Sequence, residues 1–301
     1  MERFFILACQ RSGTTMLQQA LNRHSRIVIP PETGFFTHFI GHSAKGQAHH
    51  LKRINADLGI DLPRPQERIH RREDIIRFYD QMAEAYLEKL SAPPQTLFGE
   101  KTPHHLLRAR RILSVFPDAK YILVHRDGRD VALSLTKVPW FYSDLQVTFS
   151  YWLRCCREIR WFRALPGVSL IVIRYEDLVQ QPAVELRRIA DFLGLKYEPQ
   201  MAEGSGNVEG TLPWEADWKT RATTKITPAR IGNWQRELSS TQISQLERWG
   251  GRVLKDLGYE MSTDSEAGHL PLHFFPWLYA KILLWRGGNA WRVARKNLLG
   301  R

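Results

Sequence analysis

The sequence predicts an α/β fold of three layers, a central, mostly parallel sheet between two layers of helices. Two observations carry this. Short apolar runs rich in β-branched residues, mostly bounded by turn residues, alternate along the chain with stretches of helical periodicity. Strands separated by helices are joined by crossover connections, and such connections build parallel sheets covered on both faces.

FFILA (4–8) is the first buried strand and leads through ACQRSGTTML into a helix over 14–23. RIVIP (26–30) is a second strand, and a helical pattern follows at 73–91. TLF (96–98) is a third strand, with a helix over 104–115. YILVHR (121–126) is a fourth, followed by helices over 128–136 and 143–163. SLIVIRY (169–175) is the fifth, followed by a helix over 183–193. Residues 199–231 are irregular and are expected as long surface loops, before an amphipathic helix over 241–257. The expected organisation is one α/β domain over 1–261 and an apolar, basic extension over 262–301.

At 301 residues the chain can bury a substantial core, and 43% hydrophobic with 25% charged residues is ordinary for a globular protein. The net charge of +12 points to an anionic partner without choosing one. Cys9, Cys155 and Cys156 give neither a disulfide framework nor zinc spacing, which suits a reducing, cytoplasmic setting. FFILA is too short for the core of a signal peptide, and no apolar run reaches the roughly 18 residues of a membrane span. The remaining histidines, such as His38, His42, His49, His50 and His70, form no ligand pattern, so no metal is expected.

The loop after the first strand is P-loop-like. Unpaired N–H groups and the positive end of the dipole gather at the start of a helix and suit an anion. Gly13 permits close approach; Ser12, Thr14 and Thr15 offer hydroxyls, and Arg11 offers a planar cationic fork. The plain alternative is an ordinary Ser/Thr helix cap. The G-x-x-x-x-G-K-[ST] pattern of nucleoside-triphosphate loops is absent, which disfavours an ATPase or GTPase.

FIL (5–7) with QRSGTTML (10–17) resembles the 5′-phosphosulfate loop of sulfotransferases that use 3′-phosphoadenosine 5′-phosphosulfate (PAPS). YILVHRDGRDVALSL (121–135) resembles the family's second element, a strand ending in arginine and then a helix bearing a serine. By that resemblance Arg126 and Ser134 hold the 3′-phosphate. GEKTP (99–103) resembles the segment whose lysine reaches the reacting sulfate, here Lys101. YEDLVQQPAVELRRIADFLGL (175–195) and TTKITPARIGNWQREL (223–238) are similar to two further family segments, the second a loop that closes over the nucleotide. The resemblance covers about residues 4–257 and implies PAPS as donor, no metal, and an acceptor with a hydroxyl or amine. It assigns Arg11, Ser12, Gly13, Thr14, Thr15, Met16, Arg126, Ser134, Tyr175, Lys225 and Arg230 to the nucleotide.

Sulfuryl transfer needs cations on the leaving side and a base for the acceptor's proton. Arg11 and Lys101 are the expected cations. The base is expected to be Glu32, in IPPETGFF, whose Glu-Thr context resembles the protein-tyrosine and related Golgi-type group. His104 is the alternative base, with His105 beside it, although Pro103 more simply makes both of them first-turn residues of a helix. An exposed loop carboxylate is the plain alternative for Glu32.

Residues 33–95 are expected to shape the acceptor pocket. Phe35, Phe36, Lys52, Arg53, Arg71 and Arg72 suit a glycan, a phenol or an anionic lipid head group equally. The tail over 270–296 is apolar and aromatic, then basic; it suits a membrane interface as well as packing on the core or in a homodimer. Other functions compatible with a basic phosphate-loop chain are a nucleotide kinase and a non-catalytic nucleic-acid-binding protein. No nucleic-acid motif is present, so no nucleic-acid partner is expected.

Overall fold

The computed structural model describes residues 2–203 and 226–262. The chain divides into two compact units, Met1–Arg126 with Arg157–Ile231, and Asp127–Cys156 with Gly232–Arg301. Of the expected extension over 262–301, all but Ser262 lies outside the described residues.

The first unit holds a five-stranded, wholly parallel sheet in the order β2-β3-β1-β4-β5. The strands are β1 (Arg3–Ala8), β2 (Ile27–Val28), β3 (Leu97–Lys101), β4 (Lys120–His125) and β5 (Leu170–Arg174). Alternate residues of β1 feed the two faces, as a two-residue side-chain period requires. Phe4, Ile6 and Ala8 pack with Leu17 and Leu21 of α1 (Thr14–Leu21) and with Ile189 and Leu193 of a later helix, Pro182–Leu193. Phe5 faces an aromatic layer, its ring 5.8 Å from Tyr79, 6.2 Å from Phe36 and 5.4 Å from Phe116. The expected three layers are therefore present. The chain passes from β1 to strands on both of its sides, so the C-terminal ends of β1, β3 and β4 gather loops where open α/β sheets bind ligands.

β2 is shorter than expected for a physical reason. The Asn22 amide donates to the Ile29 carbonyl (2.9 Å) and accepts from the Ile29 N–H (2.7 Å), while Gln18 donates to the Pro30 carbonyl (2.7 Å). Side chains of α1 and the turn after it thus take the groups a strand neighbour would use.

A helix not expected from the sequence, α2 (Ala44–Leu58), follows a short π-helical turn over Phe35–Phe39. Ser43 caps its start by accepting from the Gly46 N–H, and Gly59, at φ 62°, ends it in the left-handed conformation that favours glycine. Its buried face is Gln47, Leu51, Ile54 and Leu58, too sparse in apolar residues to announce itself. Gln47 belongs on that face because its amide clasps both backbone groups of Ile69 (2.8 and 2.7 Å). Next come α3 (Arg72–Lys89), a 3₁₀ segment Pro103–Arg108 and α4 (Ala109–Val115). Pro103 starts the 3₁₀ segment, so the single helix expected over 104–115 is two segments.

After β4 come α5 (Gly128–Thr136), α6 (Leu145–Arg163), α7 (Tyr175–Gln180), α8 (Pro182–Leu193), α9 (Gln200–Glu203), α10 (Asn233–Glu237) and α11 (Ser240–Asp256). Within the second unit, Arg129 is almost fully buried, held by Asp127 and Glu247, with its guanidinium 3.7 Å from the Trp234 ring centroid. Asp130 accepts from the Gly232 and Trp234 N–H groups, both at 3.0 Å. Three of the charges in RDGRD (126–130) therefore fasten the second unit together.

Candidate active site

The loop after β1 is built around two left-handed residues. Arg11 has φ 66°, uncommon for a side-chain-bearing residue, and Gly13 has φ 85°. Gly13 sits under the Tyr175 ring, where an added Cβ would come within 2.4 Å of ring carbon. Arg126, just after β4, packs on the same ring: its guanidinium lies 4.3 Å from the Tyr175 ring centroid. Its Nη1 donates to the Arg11 carbonyl (3.1 Å) and its Nη2 to the Arg230 carbonyl (2.7 Å). Burial, then the fields of Arg126 and Arg230, lower the pKa of Arg11, while Glu32 opposes them. Ser12 is fully buried and its hydroxyl has no hydrogen-bond partner among the described residues. Converging cations beside an unsatisfied buried donor fit an anionic ligand, which would offset both costs.

The ends of β2 and β3 carry a second constellation. Lys101 is fully buried, and its ammonium donates to Glu32 Oε1 at 2.7 Å. The preceding residue, Glu100, is buried too; Thr33 donates to its Oε2 (2.9 Å) and Thr102 to its Oε1 (2.8 Å). Those hydroxyls accept in turn, Thr33 from the Phe35 N–H (3.0 Å) and Thr102 from the Gly34 N–H (3.1 Å). Loop 32–36 is thus hung on β3, with Lys101 holding the carboxylate of Glu32 and Glu100 holding the residue after it. Burial raises the Glu100 pKa to about 7 despite the bonds from Thr102 and Thr33.

His105 is fully buried; its Nε2 accepts from the Phe36 N–H (3.1 Å), and its Nδ1 lies 3.6 Å from Glu100 Oε1. Burial lowers its pKa to about 3. His104 is bonded through Nδ1 to the Gln10 amide (3.1 Å), and burial lowers its pKa as well. Glu32 and His104 line one small pocket.

The family model described as "Sulfotransferase family" matches residues 3–199, two thirds of the chain. The chain belongs to the sulfotransferase family. Among curated relatives of this sulfotransferase chain, the nodulation protein NoeE of Sinorhizobium fredii is 27% identical over 289 residues, covering 86% of this chain and 66% of that protein. Human carbohydrate sulfotransferase 2 is 34% identical over 101 residues, covering 32% of this chain and 18% of that protein. The chain therefore spans less than two thirds of either relative's length. Among solved structures, the sulfotransferase domain of the Synechococcus PCC 7002 olefin synthase has a TM-score of 0.61 at 23% identity, over 86% of this chain and 95% of that domain. It shares the α/β fold. The family implies a sulfate donor and an acceptor with a hydroxyl.

Of the sequence-predicted sulfotransferase residues, Arg11, Ser12, Gly13, Arg126, Tyr175 and Arg230 meet around the loop after β1. Thr14, Thr15 and Met16 form the first turn of α1. Glu32, Lys101 and His104 form the second constellation. Ser134 is half-buried in α5, within the second unit. Lys225 lies outside the described residues. Sequence reasoning missed Glu100, Thr33 and Thr102; their only signal was adjacency to Lys101 and Glu32. No group of three or more His, Cys, Asp or Glu among the described residues could hold a metal ion, and no described helix is long and apolar enough to cross a membrane.

Proposed function

We propose that this chain transfers the sulfuryl group of PAPS to a hydroxyl, or an amine, of an acceptor. The observation that carries the proposal is the convergence of Arg11, Arg126 and Arg230 on a loop with a buried, unsatisfied serine, next to the Glu32–Lys101 pair. PAPS supplies an activated sulfuryl group on a phosphate leaving oxygen. Ser12, the N-terminal amides of α1 and Arg11 suit its 5′ end. Arg126 and Ser134 suit the 3′-phosphate by family resemblance, with Tyr175 as the platform that holds Arg126; Arg230 is assigned to the nucleotide as well, and Lys225 is assigned to it on resemblance alone.

Glu32 is the favoured base. Lys101 orients its carboxylate, which accepts the proton of the attacking hydroxyl as the acceptor oxygen bonds to sulfur. Lys101, with three N–H donors, can hold Glu32 and meet negative charge developing on the leaving phosphate. His104 is the alternative base in the same pocket. His105 is disfavoured because its Nε2 already serves the Phe36 N–H.

The buried thiols Cys9, Cys155 and Cys156, none in a disulfide, support a reducing, cytoplasmic setting. A homodimer and membrane contact through 270–296 remain proposals from the tail's composition. A nucleotide kinase or a nucleic-acid-binding protein gains no support from the family match. Calorimetry with adenosine 3′,5′-bisphosphate, followed by a transfer assay from labelled PAPS, tests the reading. Binding and transfer are expected, with transfer lost in Glu32→Gln and kept in His104→Ala; the reverse pattern moves the base to His104.

A further inference from the structure

Histidines without a pattern in the sequence form a wall in the structure. His50 of α2 is the hub, its ring centroid 4.9 Å from that of His42, 5.6 Å from His38 and 5.5 Å from His49. His50 and Arg53 lie three residues apart on α2, so they share a helix face. His38, His50 and Arg53 line the pocket that also contains Glu32, Thr102 and His104. Three cationic or protonatable groups thus flank the proposed base.

This wall is not core packing. His38, His42, His49 and Arg53 are exposed, and His50 is half-buried. The wall's carboxylate neighbours are Asp57, which pairs with Arg53 at 3.2 Å, and Glu32, which is held by Lys101. Desolvation, followed by the fields of neighbouring histidines and Arg53, lowers the pKa of His38 and of His50. The lowered pKa values favour neutral His38 and His50 rings, and protonating them beside Arg53 becomes favourable when something negative arrives there.

We propose that this pocket recognises the acceptor through an anionic group, a carboxylate, sulfate or phosphate carried near the hydroxyl to be sulfated. The inference rests on the proposed sulfuryl transfer at Glu32 and narrows its acceptor. Arg53 meets the anion with a planar fork, and His38 and His50 meet it with ring N–H donors that gain protons as it binds. His42, His49 and His104 add to the positive field from the elements around them, while Glu32 and Asp57 oppose it. Glu32, in the same pocket, is left to meet the hydroxyl. Binding should strengthen as pH falls toward the lowered titration ranges of His38 and His50, because protonation of these rings is what the anion favours.

The test is a titration followed by NMR of ring-labelled histidine, in full-length protein with excess adenosine 3′,5′-bisphosphate so that small anions are kept from the arginine cradle. His38→Gln and His50→Gln assign the two resonances. The probes are glucuronate, glucose 6-phosphate and neutral glucose. The expected result is that at least one anionic probe moves the His38 and His50 signals saturably and raises their titration midpoints, while glucose does not. Arg53→Ala should weaken that probe about tenfold or more, without changing the affinity for the bisphosphate. Should neither anion move these signals more than glucose does, the proposal is overturned. Nucleotide binding is measured first by calorimetry, so loss of the sulfotransferase reading shows there, while the pocket is read at His38 and His50 in either case.

Discussion

The two halves of the candidate site handle charge in opposite ways. Around the loop after β1, burial and then the fields of Arg126 and Arg230 lower the pKa of Arg11. Around the end of β3, the protein supplies its own partners: Lys101 holds Glu32, the threonines hold Glu100, and the Phe36 N–H holds His105. The first arrangement gathers like charges, whereas the second pairs an ammonium with a carboxylate. Under the proposed sulfuryl transfer, binding energy is concentrated at the nucleotide and geometry is fixed in advance at the proposed base.

The largest expected effect breaks the paired half. Lys101→Ala removes the partner of the half-buried Glu32 carboxylate and the cation proposed for the leaving group, so turnover should fall about 10²–10³-fold in single-turnover transfer assays. Turnover within threefold of the parent would show that Lys101 is only a scaffold. Arg230→Gln breaks the other half differently. The affinity for adenosine 3′,5′-bisphosphate should fall about tenfold or more, in line with about 1.5–3 kcal/mol for a hydrogen bond to a charged group. The ligand-free melting temperature should hold or rise, since one repelling charge has gone; a clear drop in it would contradict the comparison.

Glu100 and His105 sharpen the contrast through pH. The raised pKa of Glu100, about 7, means that its contribution to stability is full at low pH and is lost as pH rises from about 4.5 to 7. The lowered pKa of His105, about 3, works in the other direction, adding stability as pH rises from about 3 to 6.5. The two offset each other between about pH 4.5 and 6.5. Denaturation midpoints of Glu100→Gln should therefore climb with pH across that window more steeply than those of the parent, and parallel curves would deny the offset. The smallest effect is expected from Ser12→Ala. Ligand-free stability should not change, while nucleotide affinity should fall by about 1 kcal/mol, several-fold in Kd.

Much of this was legible in the sequence because its signals are local. Strand runs such as YILVH and the loop RSGTT are short and contiguous, and each lies at a strand-to-helix junction. Family resemblance singles out Arg11, Glu32, Lys101 and Arg126 as candidates, and the fold puts Arg126 against the Arg11 carbonyl and Lys101 against Glu32. What escaped depends on distant partners. Glu32 and Lys101 are 69 residues apart, and only the parallel pairing of β2 with β3 brings them into contact. α2 escaped because Gln47 occupies a core-facing position for the sake of Ile69, weakening the apolar stripe. The histidine wall escaped with it, since His38 meets His50 only once that helix exists. β2 was overextended because nothing in RIVIP reveals that Asn22 and Gln18 will take its backbone groups.

The most direct test of the divided site is one calorimetric series with adenosine 3′,5′-bisphosphate on the parent, Arg126→Ala and Glu32→Gln. The parent and Glu32→Gln should bind equally, and Arg126→Ala should bind at least tenfold more weakly. Absence of binding by the parent, or equal binding by Arg126→Ala, would contradict the assignment of the arginine cradle to the nucleotide.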